Sequence, residues 1–341
     1  MESSMKPLSL DFNQYYKSFK LFLERSTEHE CMQKFIDENL PDVIASIGKK
    51  GGSSLNVLGV GSGSGKIDLE ILGKIQSKHP GFFIHNEVVE PNPQHISKYK
   101  ALVKEWNSGP NISFTWNQMT SGEYEMQNKK RNESKKFDFI HMIEMLYYVE
   151  SLHDTIKYFH SLLETNGKLL IVQTAVNLFW KSSILTLMKS SWPSKKKNMF
   201  FWGFFLPGLT TTFMSGVEAL GKWSRKNLYD GGYHSLWRKA GSRFLSSCLF
   251  LDVHKVLDEI RMKYHIYELS SIFDITECFI EGNENGELLL DFLTHIVDFR
   301  KTAPADLKAE VLQCLRQPQC SREENGKILF NNNLHFIVID Y

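Results

Sequence analysis

Four glycines carry the first chemical signal in the chain. Gly59, Gly61, Gly63 and Gly65 stand in the run GVGSGSG, directly after the apolar stretch Leu55-Asn56-Val57-Leu58. Glycine lacks a Cβ, so a loop of this kind turns tightly and lets a ligand approach the backbone. A bland glycine turn has the same look in isolation. The second signal is Glu90, which closes the next apolar run, residues 82–89, and precedes Pro91. In a doubly wound sheet, an acid at the end of the second strand lies beside the loop that follows the first. There it accepts from both hydroxyls of a ribose. Loop and acid together imply a cofactor of the adenosine type.

Such a site needs a particular scaffold, and the pattern of apolar residues supplies it. Strands are expected at residues 55–60, 82–89, 112–116, 137–142 and 168–172. Helices are expected from Ile67, over 96–106 and over 152–164, with a charged surface loop at 129–136 and a turn at Asn166-Gly167. This alternation predicts an α/β fold with a parallel sheet covered on both faces. Upstream, residues 11–45 read as helical, because Phe12, Tyr15, Tyr16, Phe19, Phe22 and Leu23 recur at helical spacing. Ser26-Thr27-Glu28-His29 reads as a cap at which the helix restarts, with Met32, Phe35 and Ile36 on one face. Closing strands are expected at 264–270 and 334–340.

The bulk composition narrows the partners. Lys plus Arg is 40 and Asp plus Glu is 39, a net charge of +1. A dedicated nucleic-acid binder carries a strong basic excess, so no nucleic acid is expected and a small molecule is. The five cysteines, Cys31, Cys248, Cys278, Cys314 and Cys320, are scattered and form no CxxC pair. Neither a disulfide framework nor a metal site is expected, and reduced thiols fit a cytoplasmic protein. The opening residues MESSMKPLSLDFNQ lack the apolar core of a signal peptide.

The form GxGxG favours S-adenosyl-L-methionine over a dinucleotide, whose usual pattern is GxGxxG. The strand FDFIHM, the helix after it and the strand NGKLLIV resemble the second half of a class I methyltransferase. More specifically, STEHECMQKF, NEVVEP, FDFIHMIEMLYYV, ECFIEGNENG and KILFNNNLHFIVID resemble the vertebrate histamine N-methyltransferases. The resemblance runs nearly continuously over residues 1–175 and from about 230 to 341. It implies a class I S-adenosylmethionine-dependent methyltransferase fold, Rossmann-like, with a mostly parallel seven-stranded sheet and a smaller substrate-binding lobe. It divides a single domain, 1–341, into an N-terminal helical part of the substrate site (1–48), a cofactor-binding core (49–175), an insertion (176–227) and a substrate lobe with closing strands (228–341). The implied activity is methyl transfer to an imidazole ring nitrogen of histamine by a cytoplasmic monomer.

Carried over motif by motif, the resemblance places Gly61, Gly63, Glu90, Ser121 and Ile143 at the cofactor. His95 stands where the family has Gln. The substrate side takes Glu28 and Asn332, Glu144 where the family has Gln, and aromatic walls from Tyr15, Phe19, Tyr147, Tyr148, Trp237, Phe244 and Phe292. Two further departures are Ser9 for a family Phe and Tyr233 for a lid Trp. A neutral imidazole nitrogen already has a lone pair, so no strong base is expected and catalysis is positioning and desolvation. Glu28 either holds the substrate or is a first-turn helix acid; Asn332 either donates to the ring or ties a turn. Glu144 in the pocket would favour a cation, or leave one of two crowded carboxyls protonated; facing solvent, it changes nothing. Two alternatives stay open: a relative acting on another imidazole such as carnosine, and an inactive binding protein. Within the insertion, residues 199–217 are long and apolar, but Gly203, Pro207, Gly208 and three threonines interrupt them, and no membrane span is expected.

Overall fold

The computed structural model of the chain describes residues 5–8, 11–48, 52–106, 111–131, 135–174 and 253–341. Seven strands form its centre: β1 (Ser54–Val60), β2 (Phe83–Val89), β3 (Ile112–Asn117), β4 (Phe137–Ile143), β5 (Leu163–Thr174), β6 (Tyr264–Leu269) and β7 (Leu334–Asp340). Their order is β3-β2-β1-β4-β5-β7-β6. The first five run parallel, and β7 is antiparallel to both of its neighbours. Parallel neighbours require crossover helices, and buried parallel strands are apolar almost throughout. Here β4 is FDFIHMI, buried at every position but the last.

Helices cover both faces. On one side lie α2 (Glu28–Lys34) with the wider helical turn Phe35–Asn39 that continues it, α3 (Lys66–Lys78) and α4 (Pro93–Glu105), and Phe35, Leu72 and Tyr99 from these pack on Val57, Val88 and Phe139. On the other lie α5 (Ser121–Arg131), α6 (Leu152–Ser161) and α7 (Val253–Glu259), whose Tyr124, Phe159 and Leu257 meet Leu58, Ile140 and Ile337. A separate core joins α1 (Phe12–Arg25) to α8 (Glu284–Thr294), the helix Ala305–Leu315 and a small sheet of Ser321–Glu324, Lys327–Asn331 and Ile272–Asp274. Strand order reverses on either side of β1, so a crevice opens at the C-terminal ends of β1 and β4, where ligands bind in sheets of this type.

The helical stretch 11–45 restarts at Glu28, as expected from the cap at Ser26–His29, while three other local expectations need correction. Ser26 closes α1 through its N–H to Phe22 O at 2.8 Å, and Thr27 is pinned to the small sheet, its Oγ1 accepting from Ile272 N at 2.9 Å. The charged stretch 129–136 begins as helix, because Thr120 and Glu123 form a reciprocal capping box that starts α5. Lys129, Lys130 and Arg131 then occupy its last turn, where cations complement the helix dipole. The third helix stops at Ser161, so Leu163 and Glu164 belong to β5. Asn166 and Gly167 form no separate turn; they bulge within β5, with Asn166 at φ 70° and pairing jumping from Phe137–Leu163 to Phe139–Lys168.

Candidate active site

The glycine loop is shaped by what surrounds each glycine. Gly61 has φ 71°, and its N–H donates to Val89 O at 2.8 Å, which ties the loop to the end of β2. A Cβ there would stand 2.6 Å from Met145 Cβ. Gly65, at φ 80°, lies against the Tyr99 ring, which a Cβ would meet at 2.1 Å. Gly65→Ala is therefore expected to destabilise the fold by about 2–4 kcal/mol, combining left-handed strain with overpacking. Thermal melting checks this. Gly63 differs: at φ 54° a Cβ would meet nothing within 4 Å. That face of the loop is open to a ligand.

Glu90 sits beside this opening, 5% exposed. Its Oε2 accepts from Gly63 N at 2.9 Å and its Oε1 from Asn92 N at 2.9 Å, with His95 Nδ1 3.5 Å from Oε1. A carboxylate offers about four lone-pair directions, so capacity remains for two ligand hydroxyls. Asn92 also caps α4, accepting from Gln94 N at 2.9 Å. Ser121 opens α5, and Ile143, half-buried, ends β4. The open glycine face, the buried acid and the strand ends suit a nucleoside cofactor.

A second constellation lies at the same edge of the sheet. Asn332, 6% exposed, immediately precedes the final strands' junction, and β7 begins two residues later, opposite the C-terminal ends of β5 and β6. Its Nδ2 donates to Glu28 Oε2 at 3.2 Å and reaches Ser26 Oγ at 3.4 Å, across 304 positions of sequence in the first case. Glu28 is the first residue of α2, and its N–H donates to Ser26 Oγ at 3.1 Å. Thr27, at the cap position, makes no side-chain cap to the helix. Desolvation pushes the Glu28 carboxyl above its ordinary pKa, and the Asn332 bond only partly offsets that. A first-turn acid serving only the helix would have no reason to sit desolvated against a side chain from the far end of the chain.

Of the aromatic walls, Tyr15 and Phe19 stack at 5.9 Å, and Phe19 meets Phe292 of α8 at 6.2 Å. Tyr148, on the turn Leu146–Tyr148, is 48% exposed. Trp237 and Phe244, like Ser9, Tyr233 and the insertion 176–227, lie outside the described residues, as does the side chain of Tyr147.

Residues 32–213 match the family described as methyltransferase domain. The chain is 44% identical over 340 residues to histamine N-methyltransferase of Danio rerio, covering 100% of each. It is 41% identical over 345 residues to that of Bos taurus, again covering 100% of each. With that of Mus musculus the identity is 40% over 346 residues, covering 100% of this chain and 99% of the relative. The chain belongs to the histamine N-methyltransferase family.

Within a histamine N-methyltransferase scaffold, Glu144 is the departure with most chemical content. It follows β4 directly and holds φ 48°, with its N–H donating to Val172 O at 2.9 Å. A non-glycine residue in the left-handed region is strained by about 1–3 kcal/mol, and such strain clusters at functional sites. The side chain is half-buried. Glu144→Gln is expected to change the substrate KM more than the cofactor KM, measured by steady-state kinetics with each varied in turn. Equal changes in both, or none, remove it from the substrate side.

Sequence reasoning missed three contributors to this edge: Asn92, Met145 and Asp68. Asn92 had a local signal, an Asn-Pro pair opening a helix. Met145 had none, since its role is to fill the space that Gly61 leaves. Asp68 had one, an acid embedded in the apolar run IDLEIL.

Among the described residues no helix is long and apolar enough to cross a membrane, and no group of three or more His, Cys, Asp or Glu could hold a metal ion.

Proposed function

We propose that the protein transfers the methyl group of S-adenosylmethionine to an imidazole ring nitrogen of histamine, working as a cytoplasmic monomer. The observation that carries this reading is the part-buried contact between Glu28 and Asn332 at the edge that also holds the glycine loop and Glu90. The full-length relatives named histamine N-methyltransferase support the same substrate.

S-adenosylmethionine supplies an electrophilic methyl on a sulfonium. In this reading Gly61, Gly63, Glu90, His95, Ser121 and Ile143 bind it, with Glu90 taking the ribose hydroxyls. Glu28 and Asn332 orient the acceptor: Asn332 donates to the Glu28 carboxyl and fixes it, and Glu28 accepts the ring N–H or receives the side-chain ammonium, which leaves the lone pair of the other ring nitrogen free to attack the methyl. Histamine's neutral imidazole needs no base before transfer, so these groups act by alignment, and the methylated ring sheds its remaining proton afterwards. Glu28, already biased toward its neutral form by burial, is suited to take that proton. Tyr15, Phe19, Tyr147, Tyr148, Trp237, Phe244 and Phe292 exclude water and offer ring faces to a cation, an interaction of about 0.5–2 kcal/mol. Residues 49–175 form the cofactor core in this scheme, and 1–48 with 228–341 form the substrate lobe.

The test is methyl transfer by the purified full-length chain to histamine and to carnosine. Carnosine carries a carboxylate that Glu28 and Glu144 repel, so histamine is expected to be methylated tens of times better. Equal or better turnover of carnosine overturns the assignment. Cofactor binding without any transfer overturns the enzymatic reading.

A further inference from the structure

The two ends of the glycine loop rest on one buried polar unit that the reaction does not use. At the entry, a Cβ on Gly59 would stand 2.6 Å from Asp68 Oδ2 and 2.9 Å from His141 Cε1. The missing side chain of Gly59 is thus space shared by the Asp68 carboxyl and the Ser62 hydroxyl, which a Cβ would meet at 2.5 Å. At the exit, the Tyr99 ring lies against Gly65, and its hydroxyl donates to the same Asp68 Oδ2 at 3.4 Å. His141 Nε2, from β4, lies 3.8 Å from that oxygen. Asp68 is 3% exposed, His141 1% and Tyr99 0%.

This arrangement is expensive for a plain core. Most neighbouring positions on this face of the sheet are apolar, among them Val57, Val88 and Phe139, with Asn86 a further buried polar side chain at Tyr99. Burial pushes the Asp68 carboxyl above its usual range, with neighbouring Glu90 adding to the rise, and pushes the His141 ring below its own. His141 Nε2 makes no hydrogen bond. Apolar residues of similar volume would fill the space with no desolvation penalty. What apolar residues could not supply is a directional hold on both ends of the loop at once.

We propose that Asp68, held between Tyr99 and His141, is a positioning residue of the cofactor site: it fixes the loop from beneath, so that Gly63 N–H meets Glu90 with its outer face open. The geometry gathers three elements around one oxygen atom, since Asp68 belongs to α3, Tyr99, whose hydroxyl bonds that oxygen, to α4, and His141, in close approach to it, to β4. The inference rests on the cofactor reading given above and deepens it.

The experiment uses the full-length chain and isothermal calorimetry with S-adenosylhomocysteine, alongside thermal melting and the histamine KM at saturating cofactor. Asp68→Leu is expected to melt no lower than the parent, because a buried carboxyl is removed, yet to bind S-adenosylhomocysteine about tenfold more weakly, as small displacements of a binding group do. The histamine KM is expected to change less than twofold. Asp68→Asn, which keeps an oxygen for the Tyr99 hydroxyl, is expected to recover most of the affinity, and it serves for the same measurements if the leucine variant does not fold. Gly59→Ala is expected to weaken binding in the parent and to add little in the Asp68→Leu background, since the two changes disturb one contact. Unchanged cofactor affinity in both Asp68 variants, or cofactor Kd and histamine KM rising by the same factor, overturns the proposal. Absence of binding by the parent chain is a separate result, which overturns the cofactor reading itself.

Discussion

Replacing Glu90 by alanine is expected to raise the Kd for S-adenosylhomocysteine by at least 100-fold. Two effects add. The ligand loses an acceptor for its ribose hydroxyls, and hydrogen bonds to a charged group contribute about 1.5–3 kcal/mol each. The protein loses the group that accepts from Gly63 N and Asn92 N, both at 2.9 Å, so the loop and the start of α4 are released together. Glu90→Gln is expected to fall between, because the amide keeps one acceptor oxygen and places a donor against one of two backbone N–H groups. Calorimetry on the three proteins gives the order. An alanine variant that binds within fivefold of the parent would falsify the assignment of Glu90 to the ribose.

Glu28→Gln is expected to act in opposite directions on binding and on stability. The histamine KM rises roughly 10–100-fold, because a charge-assisted contact becomes a neutral one, while the cofactor Kd stays within about twofold. The folded protein, in contrast, becomes more stable near neutral pH. Burial raises the Glu28 carboxyl above its unfolded value. A carboxyl shifted in that direction contributes stability below its unfolded pKa, and that contribution is lost as pH rises through the folded pKa. At pH 7, above that unfolded value, the desolvated carboxyl is therefore a burden that glutamine removes. The gain in melting temperature is expected to be larger at pH 7 than at pH 4. A variant that loses histamine affinity and melts lower at pH 7 indicates that Glu28 holds the fold, and its role in recognition fails.

The parts of this fold that were legible in the sequence are those written locally. β7 was expected at 334–340 and lies at Leu334–Asp340, and β4, expected at 137–142, runs one residue further. Continuous apolar runs bounded by polar residues define such strands. The glycine loop and Glu90 were legible because their spacing is fixed by one βαβ unit. Elements with weaker signals were missed. α5 is mostly polar, so its start depends on the Thr120–Glu123 box rather than on an apolar stripe. Contacts distant in sequence had no signal of their own. Nothing in IDLEIL or FDFIHM says that Asp68 and His141 meet beneath Gly59, since that encounter requires α3 to lie across β4. The Glu28–Asn332 pair was expected only through the family resemblance, and the structure gives it a distance.

The reversed strand β7 has a consequence for how the protein comes into being. It is later in the chain than every other strand of the sheet, yet it inserts between β5 and β6 rather than adding at an edge. The ribosome therefore delivers β1 to β5, with the glycine loop and Glu90, well before β7 exists. Until β7 arrives, β6 has no neighbour in the sheet and Asn332 has no fixed place opposite Glu28. The half of the site that holds the methyl donor can be ordered while the half that selects the acceptor is still unformed, and closing a pair separated by 304 positions belongs among the slow steps of folding.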